Sequence, residues 1–465
     1  MWDPSALLLR ASHGAAVARS ELGFPLRSER ETGTAEQSNP GGEGAMSEPQ
    51  VSRHGLTFIF ITCLLDAVGF GIVIPVTPEL IMELAGEGLS QAALYAGWLM
   101  FLYALMQFIC APVMGNLSDR FGRRPVLLLS LLAFGLDYVL MGFAPTLFWL
   151  FLGRFLAGIT GATFSTANAY IADVSPPEKR AANFGLLGAA FGLGFILGPV
   201  IGGLLGDFGA RVPFFAAAGL TLLNVVYGFF VLPETLPVDK RRRFEFKRAN
   251  PFGALMQMRR FPVVIGLFAA LLLYQIAHDA NPATWTYYTM LKFGWTELEV
   301  GYSLGAVGLA LALVQGLVIR SVIPRIGERK AVYLGYSLMA VGYLGYALAP
   351  SGWVMYVFIV PFALGGLGGP ALRGIMSNQV PPDQQGELQG SITSVQSFTA
   401  IFAPLVMTQL FGYFTADPAG YYFPGAPFFL AGVLMIGALA VCLAVFRSTG
   451  PPHELPSSSG ATPIV

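Results

Sequence analysis

The stretch Gly115-Asn-Leu-Ser-Asp119-Arg120-Phe-Gly122-Arg123-Arg124 sets four charged side chains between two apolar runs, 92–114 and 125–143. Outward from it, ten more apolar runs fill the chain: 56–79, 146–170, 181–205, 212–232, 262–284, 297–319, 330–349, 352–376, 387–411 and 426–446. A bilayer core about 30 Å thick needs about 20 apolar residues at 1.5 Å of rise each. Only helices and closed barrels satisfy their own backbones there. Barrel strands alternate over about 10 residues, whereas these runs are continuous. The sequence therefore reads as an all-α integral membrane protein with twelve transmembrane helices.

Composition narrows the classes. Charged residues are 12% of the chain, about half the soluble average. The net charge is zero, so no basic surface invites nucleic acid. Cys63, Cys110 and Cys442 lie inside apolar runs without paired spacing, so neither a disulfide nor a metal site is expected. No cofactor is implied. The absence of a Walker loop removes direct ATP drive. Gly301-Tyr-Ser303-Leu-Gly305 matches G-x-S-x-G. That motif needs a strand-to-helix elbow, and this copy lies within an apolar run, so it does not argue for an enzyme.

Residues 1–52 are rich in Ser, Glu, Gly, Arg and Pro and hold no long apolar run. They read as a disordered tail, or as a leader ahead of a true start at Met46. Residues 447–465 read as a second polar tail. Lys and Arg cluster in alternate loops, as at Lys179, Arg180, Lys240–Arg243, Arg259, Arg260, Arg325 and Arg329, while the opposite loops hold little beyond Arg211 and Lys292. The positive-inside bias makes the basic loops and both termini cytosolic. The longest basic loop, 233–261, divides the spans into halves at 53–232 and 262–446.

The halves repeat. Arg120-Phe-Gly122-Arg-Arg124 matches Arg325-Ile-Gly327-Glu-Arg329, 205 residues on, and Pro176-Pro177-Glu178 matches Pro381-Pro382-Asp383. Gly185 with Gly390, and Pro199 with Pro404, keep that offset. Duplicated, pseudo-symmetric six-helix halves place a transport pathway between them.

These residues resemble a family. Gly115 to Arg124 is similar to the first cytosolic-loop signature of major facilitator superfamily transporters. Leu65-Asp66 running on to Pro75 resembles the first-helix signature of drug/proton antiporters. Gly153-Arg154 with Gly158 and Gly161 resembles the fourth-helix signature, and Leu136-Asp137-Tyr138 resembles the tetracycline pumps. Gly194-Phe-Ile-Leu-Gly198-Pro199-Val-Ile-Gly202-Gly203 resembles the fifth-helix antiporter signature. The resemblance implies proton-coupled efflux in the tetracycline-efflux branch, with the glycine strip as a tight seam that favours export and the Asp119 turn as a state-dependent latch. It departs at two places: the family's helix-8 His and helix-9 Asp align with Leu311 and Met339. An uptake symporter on the same fold is the alternative reading.

Charged residues inside the spans carry the chemistry. Asp66 falls about ten residues into its span, roughly 15 Å deep. An acid there costs on the order of 2.5–3.5 kcal/mol unless it faces a cavity, a partner or a proton. Arg154, also near mid-depth, keeps its charge and acts on nearby acids. Asp137 is a candidate partner for it. His278 and Asp279 sit in the outer half of span 7, where they stand in for the missing helix-8 and helix-9 groups, or form a polar rim bent by Pro282. Among the latch residues Gly115, Asp119, Arg120, Gly122, Arg123 and Arg124, the two glycines permit close turns. The aromatics Trp98, Phe101, Tyr103, Tyr274, Trp285, Tyr287 and Tyr288 line a drug cavity or simply pack. The expected partners are a small-molecule substrate, protons and membrane lipid. The expected setting is a monomer in a bacterial inner membrane.

Overall fold

Proline and glycine decide where the apolar runs break. The computed structural model describes residues 53–161, 163–175, 177–241, 262–381, 384–416 and 421–448, all helix and connecting segments with no strand among them. The two tails and most of the 233–261 linker lie outside the described residues. Eleven helical stretches are long and apolar enough to cross a membrane, and Leu147–Thr160 is a shorter apolar helix. Together they make the twelve spans.

In the first half, α1 (Arg53–Val73) stops short of the expected 79, and α2 (Thr77–Ala85) is a separate short helix. Pro75 lacks an N–H and pushes Ile74 out of the helical region. Next come α3 (Leu89–Phe121), α4 (Arg123–Gly142), α5 (Leu147–Thr160), α6 (Thr163–Val174), α7 (Pro177–Gly206) and α8 (Val212–Val231). The second half holds α9 (Pro262–His278), α10 (Ala280–Phe293), α11 (Glu297–Leu313), a π-helical turn at Val314–Val318, and α12 (Ile319–Ile326). It closes with α13 (Glu328–Leu348), α14 (Gly352–Gly365), α15 (Gly368–Ser377), α16 (Gln385–Thr415) and α17 (Ala426–Ser448). Thr296 and Glu299 start α11 through a reciprocal capping box, which satisfies two donors at the helix end.

The repeat extends to the breaks. α5 ends at residue 160 and α14 at residue 365, both 205 apart, so spans 4 and 10 are each interrupted at the same place. Gly122 and Gly327, again 205 apart, take φ of +108° and +81° with ψ near 160°. A side chain there would be strained. These two glycines turn α3 into α4 and α12 into α13.

Glycine also sets how closely helices approach. On α7 one face meets α1: a Cβ on Gly198 would stand 2.6 Å from Gly71 Cα, and one on Gly202 would overlap the Ile72 carbonyl oxygen. Another face meets α11 of the second half, where Gly203 fits against Glu297 and Leu298. Gly301, Gly305 and Gly308 of α11 fit in turn against Pro199, Val200 and Ile196. Such small-residue seams let backbones touch where no hydrophobic drive exists between helices. The G-x-S-x-G match is thus packing: Gly301 and Gly305 line the seam, and buried Ser303 accepts a hydrogen bond from Trp285 Nε1 at 2.9 Å.

Among the described residues, the close contacts between the halves gather at one end. The α7 stripe that meets α11 at residues 196–203 continues to Gly192, Gly188 and Gly185, where nothing lies within 4 Å. The second seam, α3 against α16, has the same bias. Ser90 Oγ donates to the Thr415 carbonyl at 3.2 Å, and Phe101 meets Phe402 at 5.8 Å between centroids. These contacts all lie toward the face opposite the basic loops, so the cleft between the halves opens toward the basic face.

Gly202→Ala should lower stability by about 1–3 kcal/mol through overpacking. Gly185→Ala, in open space, should be neutral or stabilising by up to about 1 kcal/mol. Thermal unfolding of both proteins in detergent checks this. Equal shifts would remove the tight-seam role of the strip.

Candidate functional site

In the first half the polar groups converge on α3, α4 and α5. Asp137 of α4 is 4% exposed and pairs with Arg154 Nη2 of α5. Arg154 Nη2 also contacts Met141 Sδ at 3.0 Å, and its guanidinium lies 5.7 Å from the Tyr103 ring centre. Asp137 Oδ1 and Arg154 Nε have no partner among the described residues. A Cβ on Gly153 would collide with Asp137 Oδ1. This is why a glycine precedes Arg154: it leaves room for the carboxylate of the neighbouring helix.

Asp66 behaves differently. It is half-buried on α1, thirteen residues past Arg53, or roughly 20 Å of rise. It makes no hydrogen bond or ion pair with a described residue, yet lies within electrostatic reach of Tyr103 and Tyr138. The break in span 4 is served by Gln107, which sequence reasoning missed. Its Nε2 donates to the Gly161 carbonyl at 3.0 Å and to Tyr103 Oη at 3.2 Å.

In the second half, His278 and Asp279 fall at the middle of the 31-residue stretch Val263–Phe293, not in its outer half. The expected end at 284 was too early: after the one-residue break at Asp279 the helix runs on through Pro282 to Phe293. Asp279 N bonds to Gln275 O and Ala283 N to Asp279 O, so the ladder continues on either side. Tyr274 stacks on Tyr336 at 5.5 Å and lies 5.9 Å from the His278 ring. Asp279 Oδ2 is buried without a partner among the described residues. Leu311 and Met339 pack near the break after α14, against Gly366 and Gly365. Trp285 and Tyr288 are fully buried, the tyrosine donating to the Tyr346 carbonyl at 2.5 Å, so both are packing residues. No hydrogen bond or ion pair among the described residues joins Asp66 to His278 or Asp279.

The latch residues lie differently from a simple turn. Gly115 through Phe121 are the last two turns of α3, and Gly115 is a helical residue with open space beside it. Only Gly122 makes the turn. Arg123 Nη1 pairs with Asp119 at 2.6 Å, and Arg123 Nε pairs with Asp173 of α6 at 3.1 Å. Glu234 accepts from the Arg123 N–H at 2.8 Å and the Arg124 N–H at 3.3 Å. It thereby caps α4, where a negative charge is favoured. Arg124 Nη2 donates to the Phe229 carbonyl, while Arg120 is exposed over the Phe121 ring. Asp173 and Glu234 were not legible from the local motif. The repeat offers a signal for the first: Asn378, 205 residues beyond Asp173, donates to Glu328, 205 beyond Arg123, at 3.3 Å.

At the opposite end, Glu79 of α2 lies within electrostatic reach of Glu297 of α11 across the halves. Burial first, then Glu297 and Glu83, hold the Glu79 carboxyl above the ordinary carboxylate range.

Two helical halves with a cleft between them, and Asp66 inside a span without a pairing partner among the described residues, are the build of a membrane transporter. The Major Facilitator Superfamily model matches residues 59–404 and 325–464, and the chain belongs to that superfamily, in its tetracycline-efflux branch. The class C tetracycline resistance protein of Escherichia coli is 42% identical over 360 residues, 77% of this chain and 90% of that one. The class B protein from the same organism is 39% identical over 359 residues, 76% and 87% of the two chains. A solved bacterial homolog of the human lysosomal transporter Spinster, inward-facing and unoccupied, has a TM-score of 0.69 at 15% identity. That match covers 86% of this chain and 98% of the other, and shows the fold alone.

Proposed function

We propose that this transporter exports a small lipophilic or amphipathic compound in exchange for protons, by alternating access. One observation carries the reading: Asp66, an acid at mid-depth, is half-buried and has no hydrogen-bond or ion-pair partner among the described residues. A carboxyl that is neither paired nor bonded in a membrane interior is costly unless it takes up and releases protons. The basic face is cytosolic by the positive-inside bias, which puts both termini in the cytosol and makes the cleft inward-open. The protein works as a monomer in a bacterial inner membrane.

In this reading Arg154 holds Asp137, and Asp66 is left as the carrier. His278 and Asp279 form a second titrating group in place of the acid and imidazole absent at Met339 and Leu311. The glycine strip closes the outer seam. Tetracycline is the first compound to test, because two relatives are tetracycline resistance proteins, but the changes at 311 and 339 argue that it is not the preferred substrate. Purified protein in liposomes with an imposed pH gradient, offered a panel of lipophilic compounds, tests the proposal. Movement that ignores the gradient for every compound would overturn proton coupling, and cells that accumulate more of each compound on expression would overturn export.

The latch makes its own claim. Arg123 bridges α3 and α6 through Asp119 and Asp173, so it holds the basic end of the first half together. Asp119→Asn should insert normally and bind substrate as the parent does, yet cycle about tenfold more slowly, the effect of roughly 1.4 kcal/mol on a barrier. Rates of counterflow in liposomes check this, and an unchanged rate would leave the segment a purely topological role.

A further inference from the structure

Thr221 and Asn224 are fully buried on α8, and both lie against the part of α1 that holds Asp66. Asn224 Nδ2 donates to the Thr62 carbonyl at 3.1 Å. That oxygen is also the one the Asp66 N–H reaches in the helical ladder. One turn beyond Asp66, a Cβ on Gly69 would stand 3.2 Å from Thr221 Oγ1. Positions 62, 66 and 69 follow the i, i+4, i+7 spacing, so they share one stripe of α1.

Three atoms of this seam are left over. Thr62 Oγ1, Thr221 Oγ1 and Asn224 Oδ1 are buried without a hydrogen-bond partner among the described residues. Buried hydroxyls of the second half behave otherwise. Thr284, Thr289, Ser303, Ser391 and Thr399 each donate to a carbonyl of their own helix. An unpaired buried polar group is costly, and here three of them flank an unpaired carboxyl. A protonated carboxyl supplies one O–H donor and keeps acceptor capacity. Asn224 Oδ1 can accept from the first, and a threonine hydroxyl can donate to the second. Thr62 is within reach of a rotated Asp66 side chain, because Cβ atoms four residues apart on a helix stand about 5–6 Å apart.

The seam suits the neutral acid and not the carboxylate, because no described cation faces it. α7 holds no titratable residue from 183 to 206. Tyr227 of α8 stacks on Phe58, Tyr170 of α6 lies in the same apolar cluster, and Asp173 of α6 is taken by Arg123. Cys63 on α1 itself is a buried thiol. On its other flank Asp66 has Tyr103 and Tyr138 within electrostatic reach, and Arg154 over the Tyr103 ring is closed on Asp137.

We propose that Thr62, Thr221 and Asn224 form a docking site for the protonated side chain of Asp66. The acid takes a proton from the cleft, turns neutral into the α1–α8 seam, and returns to the cleft side when it ionises. Thr221 and Asn224 are then positioning residues that hold the carrier and do not touch substrate. The inference deepens the export reading and rests on Asp66 as its proton carrier.

Infrared difference spectroscopy of the full-length protein in lipid, titrated with pH, tests it. The carboxylic-acid band that Asp66→Asn removes belongs to Asp66. Thr221→Val and Asn224→Leu should each move that band to higher wavenumber, toward a carboxyl without hydrogen bonds. Each should also move its pH midpoint toward acid by about half to one unit, the effect of one hydrogen bond lost by the protonated form. The pH profile of transport should move with it. Thr221→Ser, which keeps the hydroxyl, should hold the parent's band and midpoint. Thermal unfolding is followed in parallel. Thr221→Val leaves the bond from Asn224 to the Thr62 carbonyl in place and carries the test if Asn224→Leu unfolds. A titrating Asp66 band that Thr221→Val leaves unmoved in position and midpoint overturns the docking site and leaves Asp66 as the carrier. No titrating band assignable to Asp66 overturns the carrier reading, and the docking site with it.

Discussion

Asp66→Asn should insert and fold as the parent does but lose proton-driven transport. The substitution keeps the side chain's shape and removes its titration. Stability should not fall, because no described partner is lost and a buried charge that costs on the order of 2.5–3.5 kcal/mol to insert is gone. What disappears is the exchange of protons for substrate. With one proton per substrate, each unit of pH gradient supports roughly a tenfold concentration ratio, since one unit is about 1.36 kcal/mol. In liposomes with a one-unit gradient the parent should approach that ratio, and Asp66→Asn should level off near equality while still allowing substrate to equilibrate. Thermal unfolding in parallel guards against a folding defect. A variant that still builds the gradient would make Asp66 a structural residue and move the search for the carrier to Asp279.

The twelve spans and the two halves were readable because bilayer length and backbone satisfaction leave few alternatives. The shared offset of 205 was visible at four pairs of residues, and it went further than they showed: the breaks after residues 160 and 365 obey it too. Those breaks were hidden because neither carries a proline at the break itself, and an apolar run reads the same whether its helix is continuous or not. The span ends were less legible. The run past Pro282 looked finished at 284 and continues to Phe293, whereas Pro75 looked internal and α1 ends at Val73. The Asp137–Arg154 pair was foreseeable from two charges at matching depth on adjacent spans. Asp173 and Glu234 were not, because charges at a basic face are ordinary, and only the fold brings them to Arg123.

The last prediction separates holding from acting at the buried pair. Asp137→Ala leaves the Arg154 guanidinium, whose side chain is 14% exposed, without its counter-charge. Removing one member of a buried ion pair costs about 3–5 kcal/mol, because the other charge stays desolvated. Asp137→Ala should therefore unfold at markedly lower temperature or denaturant than the parent. Asp137→Leu combined with Arg154→Met removes both charges at similar volume, and such replacements are neutral or stabilising by about 1–4 kcal/mol. The double variant should thus recover the stability that the single one loses. Its transport should not recover, because Arg154 is the one mid-depth cation among the described residues of the first half, and its field reaches Tyr103 and Tyr138, the same rings that Asp66 reaches. Taking it away changes the electrostatic setting in which Asp66 must release its proton. Unfolding curves and liposome transport on the two variants give the answer together. A single variant as stable as the parent would show that the pair is not closed in the membrane. A stable double variant that transports at the parent's rate would reduce Asp137 and Arg154 to a clamp between α4 and α5.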